Sequence, residues 1–302
     1  MAKPLIARCL KNYGPHLVKY IDAHQHLWHV SKNEYSWITP DLSEINRDFS
    51  LDEIAADASE LGIESAVLIQ AADTYADTDF MIQAAKESSY ISGVVAWVPL
   101  DKPAEASDVL QRYSQDPIIK GIRNLTHDYS NSKYASNDNW ILQPQVLETL
   151  KEIAHLGLTL DYVAINDAHI HAIAQVAGKI PSLKIVVDHA AKPDIAGHVL
   201  HPWKESMAAL ASNPQIFTKF SGFNTLSSPQ WTVDDWRPYF EHIIDVFTPN
   251  RVMTGSDWPF SALANGYSTV WRAQQELIAT LSIADQEKIA RTTAINFYSL
   301  EI

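Results

Sequence analysis

Apolar stretches recur eight times along the chain, and each is followed by a segment whose apolar residues have helical spacing. The stretches are continuous rather than alternating, which is typical of parallel strands that are buried on both faces beneath helices. The pattern therefore predicts eight parallel β-strands. They lie at residues 18–26, 65–70, 93–98, 118–123, 158–163, 183–190, 216–222 and 251–258.

The segments between the strands contain residues that begin and end helices. Ser50 and Glu53 form a capping-box pattern at the start of a predicted helix over 51–61, and Gly62 follows as its end. Ser282 stands where it can cap another helix near the end of the sequence. These residues indicate that helices alternate with the strands.

The spacing of the strands favours a closed barrel. Strand starts lie about 33 residues apart, which is the size of one strand–helix unit, and eight such units predict a (β/α)8 or TIM barrel. The main alternative is an open doubly wound sheet, which is disfavoured because no glycine-rich nucleotide-binding motif follows an early strand. We expect residues 18–302 to form this single domain, with residues 1–17 as an N-terminal extension.

Composition limits the partners and the location. The 36 acidic and 23 basic residues give a net charge of −13, which disfavours nucleic acid as a partner. The apolar runs are too short to span a membrane, the first residues lack a secretory-signal pattern, and the single cysteine excludes an internal disulfide. We expect a cytoplasmic protein that acts on a small molecule; a homo-oligomer is compatible with the sequence.

A His-x-His pattern ends the first predicted strand. Strand alternation predicts that Asp22, His24 and His26 share one face that points into the barrel mouth, with Ala23 on the other face. Two such imidazoles can present nitrogens to one divalent ion or to one anionic group. The alternative is that they are ordinary surface histidines, of which a chain with twelve histidines has several.

His189 ends the sixth predicted strand in a similar way. If Ile185 and Val187 face inward, His189 lies on the inner wall near the barrel mouth, and Asp188 faces the helices as a structural residue. The alternative role for His189 is a hydrogen bond to a nearby carbonyl group. We therefore include His189 among the candidate catalytic residues.

Asp257 ends the eighth predicted strand. A barrel places this strand beside the first one, so the Asp257 carboxylate comes within reach of His24 and His26. A buried carboxylate there needs a cation, a metal ion or a proton. The alternative is that Asp257 caps the chain segment that follows the strand.

Further polar and aromatic side chains follow strand ends and are candidates for substrate contacts. A guanidinium can bind a carboxylate or hydroxyls through paired hydrogen bonds, an amide can donate one, and indoles can line a pocket. The predicted substrate-binding residues are Arg123, Gln70, Trp28 and Trp258. Lys219 and Ser221 share a predicted inward face of strand 7 and are further candidates. A purely structural role is the alternative for each of them.

Five motifs occur in the order IDAHQHLW, KGIR, VVDHAAKP, TKFSG and RVMTGSDWP. This series resembles the amidohydrolase-2 branch of the amidohydrolase superfamily and, more narrowly, its L-fuconolactonase and related sugar-lactone hydrolases. The resemblance implies a distorted TIM barrel and hydrolysis of the ester bond of a lactone ring. Matched by position, it implies a catalytic centre of His24, His26, His189 and Asp257, with Arg123 facing the substrate.

The resemblance leaves the metal content open. The chain has LTLDYV where metal-rich amidohydrolases carry a strand-5 histidine, so a two-metal site is not expected. Some members of the branch hold one zinc ion and others work without a metal. His24, His26, His189 and Asp257 are accordingly either zinc ligands or, for the histidines, hydrogen-bond donors to the substrate carbonyl.

We expect an enzyme that opens a sugar-acid (aldono-) lactone. Asp257 would take a proton from the attacking water and then protonate the leaving ring oxygen, while the histidines polarise the carbonyl. The alternatives are a metal-dependent decarboxylase or an amide hydrolase of the same superfamily, and a catalytically silent protein that binds sugar acids.

Overall fold

The computed structural model describes residues 18–125 and 137–302. Within them, eight parallel strands pair in sequence order to form a nearly closed barrel, so the predicted (β/α)8 fold is confirmed. Each predicted strand overlaps an observed one. The strands are β1 Tyr20–Gln25, β2 Ile63–Ile69, β3 Ile91–Ala96, β4 Ile119–Arg123, β5 Thr159–Tyr162, β6 Ile185–Val187, β7 Ile216–Phe220 and β8 Val252–Thr254.

Helices alternate with the strands as the sequence predicts. They are α1 Asp52–Leu61, α2 Tyr75–Glu87, α3 Pro103–Tyr113, α4 Pro144–His155, α5 Asp167–Lys179, α6 Trp203–Ala211, α7 Val233–Phe247, α8 Gly266–Ile278, α9 Ile283–Glu287 and α10 Thr293–Tyr298. Gly62 ends α1 in the left-handed conformation, and the Ser282 hydroxyl accepts the Asp285 N–H at the start of α9. Both of these predicted helix boundaries are confirmed.

The barrel interior is apolar where the strands begin. Side chains from alternating strand positions pack there with α10, and we call this group the barrel-floor cluster. Its buried members are Ile21, Ala23, Val67, Ile69, Val95, Val186, Met253, Ala294, Phe297, Tyr298 and Leu300. Lys120 Nζ at the start of β4 donates to the Ser299 carbonyl next to α10. The last helix therefore closes the amino end of the barrel, and the polar site lies at the opposite end.

The facing of β6 differs from the prediction. Val186 belongs to the barrel-floor cluster, whereas Ile185 and Val187 pack in the layer between the sheet and the helices. The prediction that Ile185 and Val187 point inward together with His189 is therefore wrong. Strand alternation ends at Val187, because the chain turns sharply from the next residue onward.

The seam between β8 and β1 is closed by residues that follow the strands. The Asp257 N–H donates to the His24 carbonyl (2.8 Å), and the His26 N–H donates to the Trp258 carbonyl (2.7 Å). The barrel is thus distorted at this seam, and the segments that close it contain three of the predicted catalytic residues.

Some predictions about the whole chain have no test here. The extension predicted over residues 1–17 lies outside the described residues, and the single-domain assignment of residues 18–302 stays a prediction. Among the described helices, none combines the length and the apolar character that crossing a lipid bilayer requires.

Candidate active site

The end of β1 brings two imidazoles to the barrel mouth. Strict alternation predicts Asp22, His24 and His26 on one inward face, and this detail is wrong. Ala23 packs inside the barrel, and the pairing of β1 with β2 shifts register between Asp22 and Gln25. Such an irregularity re-aims the side chains that follow it. His24 and His26 consequently face each other, with their Nε2 atoms 3.2 Å apart.

The Nδ1 atoms of both imidazoles, on the ring side away from the facing Nε2 atoms, contact other groups of the protein. His26 Nδ1 lies 2.8 Å from the Ile69 carbonyl oxygen, which can only accept, so this nitrogen carries a proton. Burial and the neighbouring Lys219 charge hold the pKa of His24 well below its usual value. His24 is therefore a neutral imidazole at neutral pH.

Asp257 completes the group with a carboxylate. Its Oδ1 lies 3.3 Å from His26 Nε2 and 3.6 Å from His24 Nε2. The residue has a φ of 56°, a conformation uncommon outside glycine. Burial alone would raise the pKa of Asp257, but the His189, His26 and His24 rings outweigh burial and lower it. The carboxylate is ionised at neutral pH.

His189 comes to the site on a left-handed turn. The four residues from His189 to Lys192 all have φ between 47° and 59°, and the Lys192 N–H donates to the His189 carbonyl (2.9 Å). The Trp203 indole N–H fixes the turn by donating to the Ala190 carbonyl (2.7 Å). Each such residue costs roughly 1–3 kcal/mol, and strain of this kind clusters at functional sites.

The ring of His189 packs against the others. Its centroid lies 4.5 Å from that of His24, and Nδ1 is 2.9 Å from the Ser221 hydroxyl. Burial lowers the pKa of His189 to about 4, so this imidazole is also neutral at neutral pH. The structure therefore brings together all four predicted catalytic residues; their roles stay predictions.

Asp188 faces the barrel interior, and the prediction that it faces the helices is wrong. Its carboxylate lies 3.2 Å from His24 Nδ1, 3.0 Å from Arg123 Nε and 3.0 Å from Lys219 Nζ. The physical reason is the strand parity of β6, where Val186 rather than Val187 points inward. Burial would raise the pKa of Asp188, but Lys219 and its other positive neighbours hold it well below its usual value.

Lys219 is the ammonium at the centre of a buried ionic network below the histidines. Its Nζ lies 2.5 Å from Asp161 Oδ2, 3.0 Å from Asp188 Oδ1 and 3.1 Å from His24 Nδ1. The Tyr298 hydroxyl of α10 donates to the same Asp161 oxygen (2.7 Å). Sequence reasoning placed Lys219 inward but missed Asp161, although a charged residue inside the apolar run LTLDYV was a usable signal.

Lys192 adds a second positive charge beside the centre. Burial lowers the pKa of this partly buried lysine to about 8, and its charge interacts with those of Asp257, Arg123 and Asp188. Lys192 was not among the predicted site residues. Its position three residues after His189 was the available signal, because a turn with an i to i+3 hydrogen bond presents those two side chains on one face.

The predicted polar substrate contacts already have protein partners. Arg123 NH1 donates to the Gln70 carbonyl (2.6 Å), and Arg123 Nε faces Asp188. The Gln70 side-chain amide donates to Asp73 Oδ1 (2.8 Å). These contacts fix the two strand ends to each other, and direct contact of Arg123 and Gln70 with substrate stays a prediction.

The two predicted indoles lie in an aromatic layer. Trp28 is fully buried and donates its N–H to the Ile45 carbonyl (3.0 Å). Trp258 packs edge-on against Phe49, with ring centroids 5.4 Å apart. Their observed contacts are those of core packing, and a contact with substrate stays a prediction for both.

Two glycines allow the backbone to approach the candidate catalytic side chains. A Cβ at Gly222, whose φ is 67°, would lie 2.6 Å from His189 Nδ1 and 3.2 Å from Asp257 Oδ2. A Cβ at Gly255 would lie 2.5 Å from the His24 Cβ. Any larger residue at either position displaces the ring that it faces.

The donor atoms are spaced as a small divalent cation requires. The His24, His26 and Asp257 atoms form a triangle with sides of 3.2, 3.3 and 3.6 Å. Ligands at bond lengths near 2.1 Å in a tetrahedral zinc site lie about 3.4 Å apart. The His24, His189 and Asp257 donors also lie within 4.8 Å of one another. Ring nitrogens and a carboxylate are zinc donors, so donor type and spacing fit one ion.

An eight-stranded barrel with imidazoles after β1 and β6 and an aspartate after β8 defines an amidohydrolase-type site. The amidohydrolase family profile matches residues 21–300, and the chain belongs to this family. The resemblance inferred from the motifs is thereby confirmed.

Two sequence relatives and one similar solved structure bear on activity and metal binding. The chain is 32% identical to the L-fucono-1,5-lactonase of Burkholderia ambifaria over 247 aligned residues. The alignment covers 82% of each sequence. The chain is 26% identical over 306 residues to the L-fucono-1,5-lactonase of Burkholderia multivorans, covering 93% of this chain and 96% of that one. A crystal structure of an amidohydrolase from Burkholderia multivorans with bound zinc superimposes with a TM-score of 0.83 at 23% identity, covering 94% and 100% of the chains.

Proposed function

We propose that the protein is a hydrolase that opens a sugar-acid lactone ring by adding water to the ring carbonyl. The two relatives named L-fucono-1,5-lactonase support this class of substrate. The observation that carries the proposal is the ionised Asp257 carboxylate, whose Oδ1 lies 3.3 Å from His26 Nε2 and 3.6 Å from His24 Nε2 at the barrel mouth.

Asp257 acts first as the base and then as the acid. A water molecule attacks the carbonyl carbon and loses a proton to the Asp257 carboxylate, which leaves a tetrahedral intermediate. The ring carbon–oxygen bond then breaks, and the protonated Asp257 returns the proton to the leaving ring oxygen. The product is an open hydroxy acid, and Asp257 ends in its original ionised state.

The imidazoles supply the polarisation of the carbonyl. Neutral His24 and His189 can each direct one ring N–H toward the oxygen on which negative charge develops, as in an oxyanion hole. If one divalent ion is bound, His24, His26 and Asp257 would hold it, with His189 nearby. That ion would supply Lewis-acid polarisation of the carbonyl.

Two positive residues can orient an oxygen-rich substrate. Lys192 interacts with both Asp257 and Arg123, so two positive charges lie near the centre in a chain whose net charge is −13. A focused local field of this kind attracts an anionic product or hydroxyl groups despite the overall charge. We expect Lys192 to bind substrate oxygens and Arg123 to do so through N–H groups other than those facing Asp188 and Gln70.

Replacement of Asp257 by asparagine tests the mechanism. The amide cannot take the proton from water, so lactone hydrolysis should fall by about 10²–10⁴-fold in kcat. Hydrolysis is followed with a pH indicator over a panel of sugar lactones that includes L-fucono-1,5-lactone. Asp108→Asn, at an exposed position on α3, is the control and should keep full activity.

Two results would contradict the proposal in different ways. Near-normal hydrolysis by Asp257→Asn would show that Asp257 is not the general base. If the wild-type protein opens none of the lactones, the proposed lactone hydrolysis itself is wrong. Carbon dioxide release from aromatic acids, ammonia or amine release from amides, or tight binding without turnover would then identify one of the alternatives.

A further inference from the structure

The hydrogen bonds of Lys219 determine which nitrogen of His24 carries the ring proton. Lys219 is fully buried, and its Nζ has three acceptors, Asp161 at 2.5 Å, Asp188 at 3.0 Å and His24 at 3.1 Å. An ammonium has three N–H donors and no lone pair. The contact with His24 Nδ1 is therefore a hydrogen bond only if Nδ1 carries no proton.

The neighbouring contacts agree with that arrangement. A neutral imidazole has one ring proton, so a proton-free Nδ1 places it on His24 Nε2. His26 Nδ1 donates to the Ile69 carbonyl, so a neutral His26 presents its Nε2 lone pair to His24 Nε2 at 3.2 Å. The N–H of His24 can then donate to that lone pair.

Metal binding requires the other tautomer. A ligating imidazole presents a lone pair to the ion and donates its second nitrogen to a carboxylate or carbonyl. Asp188 Oδ1 lies 3.2 Å from His24 Nδ1 and could accept that proton. The N–H of His24 would then face the N–H groups of Lys219 at 3.1 Å, which is repulsive. Lys219 and Asp188 thus favour opposite states of one ring.

We propose that Lys219 is a positioning residue that keeps the His24 proton on Nε2. His24 is thereby a hydrogen-bond donor to the reacting carbonyl rather than a metal ligand, although the spacing of the donor atoms fits an ion. The inference rests on the proposed function only for the role of that N–H. Its tests do not use a substrate.

The direct test is the tautomer of His24 in the wild-type protein. Chelator-treated protein with ¹⁵N-labelled histidine is recorded in a long-range ¹H–¹⁵N correlation spectrum, and the His24 signals are assigned by their loss in His24→Gln. The expected spectrum has a proton-bearing Nε2 and a proton-free Nδ1. A proton on Nδ1 overturns the proposal. This measurement needs no Lys219 variant to fold.

A second test uses zinc affinity. The double variant Lys219→Met/Asp161→Asn removes one positive and one negative charge, so the buried network keeps the net charge of the wild type. Without Lys219, the His24 proton can move from Nε2 to Nδ1, which then donates to Asp188, and zinc affinity should rise at least tenfold in competition with a chromophoric chelator. Asp161→Asn alone keeps Lys219 and should not gain affinity.

The outcomes separate this proposal from the proposed function. Unchanged or weaker zinc binding in the folded double variant overturns the role of Lys219. If lactones are hydrolysed but His24 carries its proton on Nδ1, only this inference fails. If no lactone is hydrolysed but the proton is on Nε2 and the double variant gains zinc affinity, only the proposed function fails.

Discussion

Gly222 lies where the backbone after β7 passes His189 and Asp257, and alanine there should disable the site. The added methyl would lie 2.6 Å from His189 Nδ1 at a φ of 67°. The left-handed conformation alone costs roughly 1–2 kcal/mol. We expect at least a ~100-fold loss of hydrolysis, since a misplacement of about 1 Å can cost that much. Activity assays and urea unfolding measure the two effects.

The control for this change is Gly178→Ala near the end of α5. Gly178 is exposed, and no atom outside the helix lies within 4 Å of the added Cβ. Alanine should stabilise that helix by about 0.5–1 kcal/mol without altering activity. An active Gly222→Ala enzyme would show that the observed approach of the backbone to His189 is not needed.

Lys192 should set the alkaline limit of activity. Burial lowers the pKa of its ammonium to about 8, so the charge is present below that pH and is lost as the pH rises through it. Hydrolysis, corrected for the spontaneous reaction, should therefore fall above about pH 8 in kcat/KM. The groups that interact with this charge are Asp257, Arg123 and Asp188.

Two variants check the origin of that limit. Lys192→Arg keeps its charge at high pH and should remove the decline near pH 8. Lys151→Met, at an exposed position on α4, should leave the profile unchanged. A decline that persists in Lys192→Arg would assign it to another group.

At the level of single residues, position in the barrel predicted more than strand parity did. His24, His26, His189 and Asp257 converge because each lies at or just after the carboxyl end of a strand, and these ends meet at the same rim. The facing of Asp188 was mispredicted because Val186 rather than Val187 points inward on β6. The facing of Asp22, His24 and His26 was mispredicted because the register shifts on β1. A run such as HAAK does not reveal the left-handed turn after β6, since alanine and lysine rarely adopt positive φ.

Among the elements, α10 connects the barrel floor to the ionic network. Its Tyr298 hydroxyl donates to the buried Asp161 carboxylate, and Tyr298→Phe should destabilise the protein by about 1.5–3 kcal/mol, because a hydrogen bond to a buried charged group is lost. Urea unfolding measures the change. Tyr75→Phe is the matched control, because that hydroxyl meets Glu105 at the surface. A Tyr298→Phe change no larger than the control would show that Lys219 alone supports Asp161.

The strands were predictable because buried parallel strands need continuous apolar runs. The least accurate boundaries are the ends of β6, predicted over 183–190 and observed at Ile185–Val187, and of β8, predicted over 251–258 and observed at Val252–Thr254. Apolar character continues past Val187 into the turn, so hydrophobicity alone cannot mark where the strand ends. The closing of the floor by α10 was not predicted either, since FYSL resembles the apolar face of any short helix.

For the whole molecule, eight repeated units made the barrel fold predictable. An error in one strand leaves the period of about 33 residues unchanged, so the fold does not depend on any single position. The site has no such redundancy, since one register shift or one turn decides which side chain enters it. Family membership over residues 21–300 follows from the ordered motifs, whereas the cytoplasmic location and the oligomeric state stay predictions.

The segments that close the β8–β1 seam also carry three of the predicted catalytic residues, His24, His26 and Asp257, so a bound ligand should stabilise the closure of the whole barrel. Across that seam the Asp257 N–H donates to the His24 carbonyl and the His26 N–H donates to the Trp258 carbonyl. A saturating concentration of the ring-opened product acid should raise Tm, and it should slow deuterium uptake most at those two amides. If deuterium uptake slows only at distant surface loops, ligand binding does not stabilise the β8–β1 seam of the barrel.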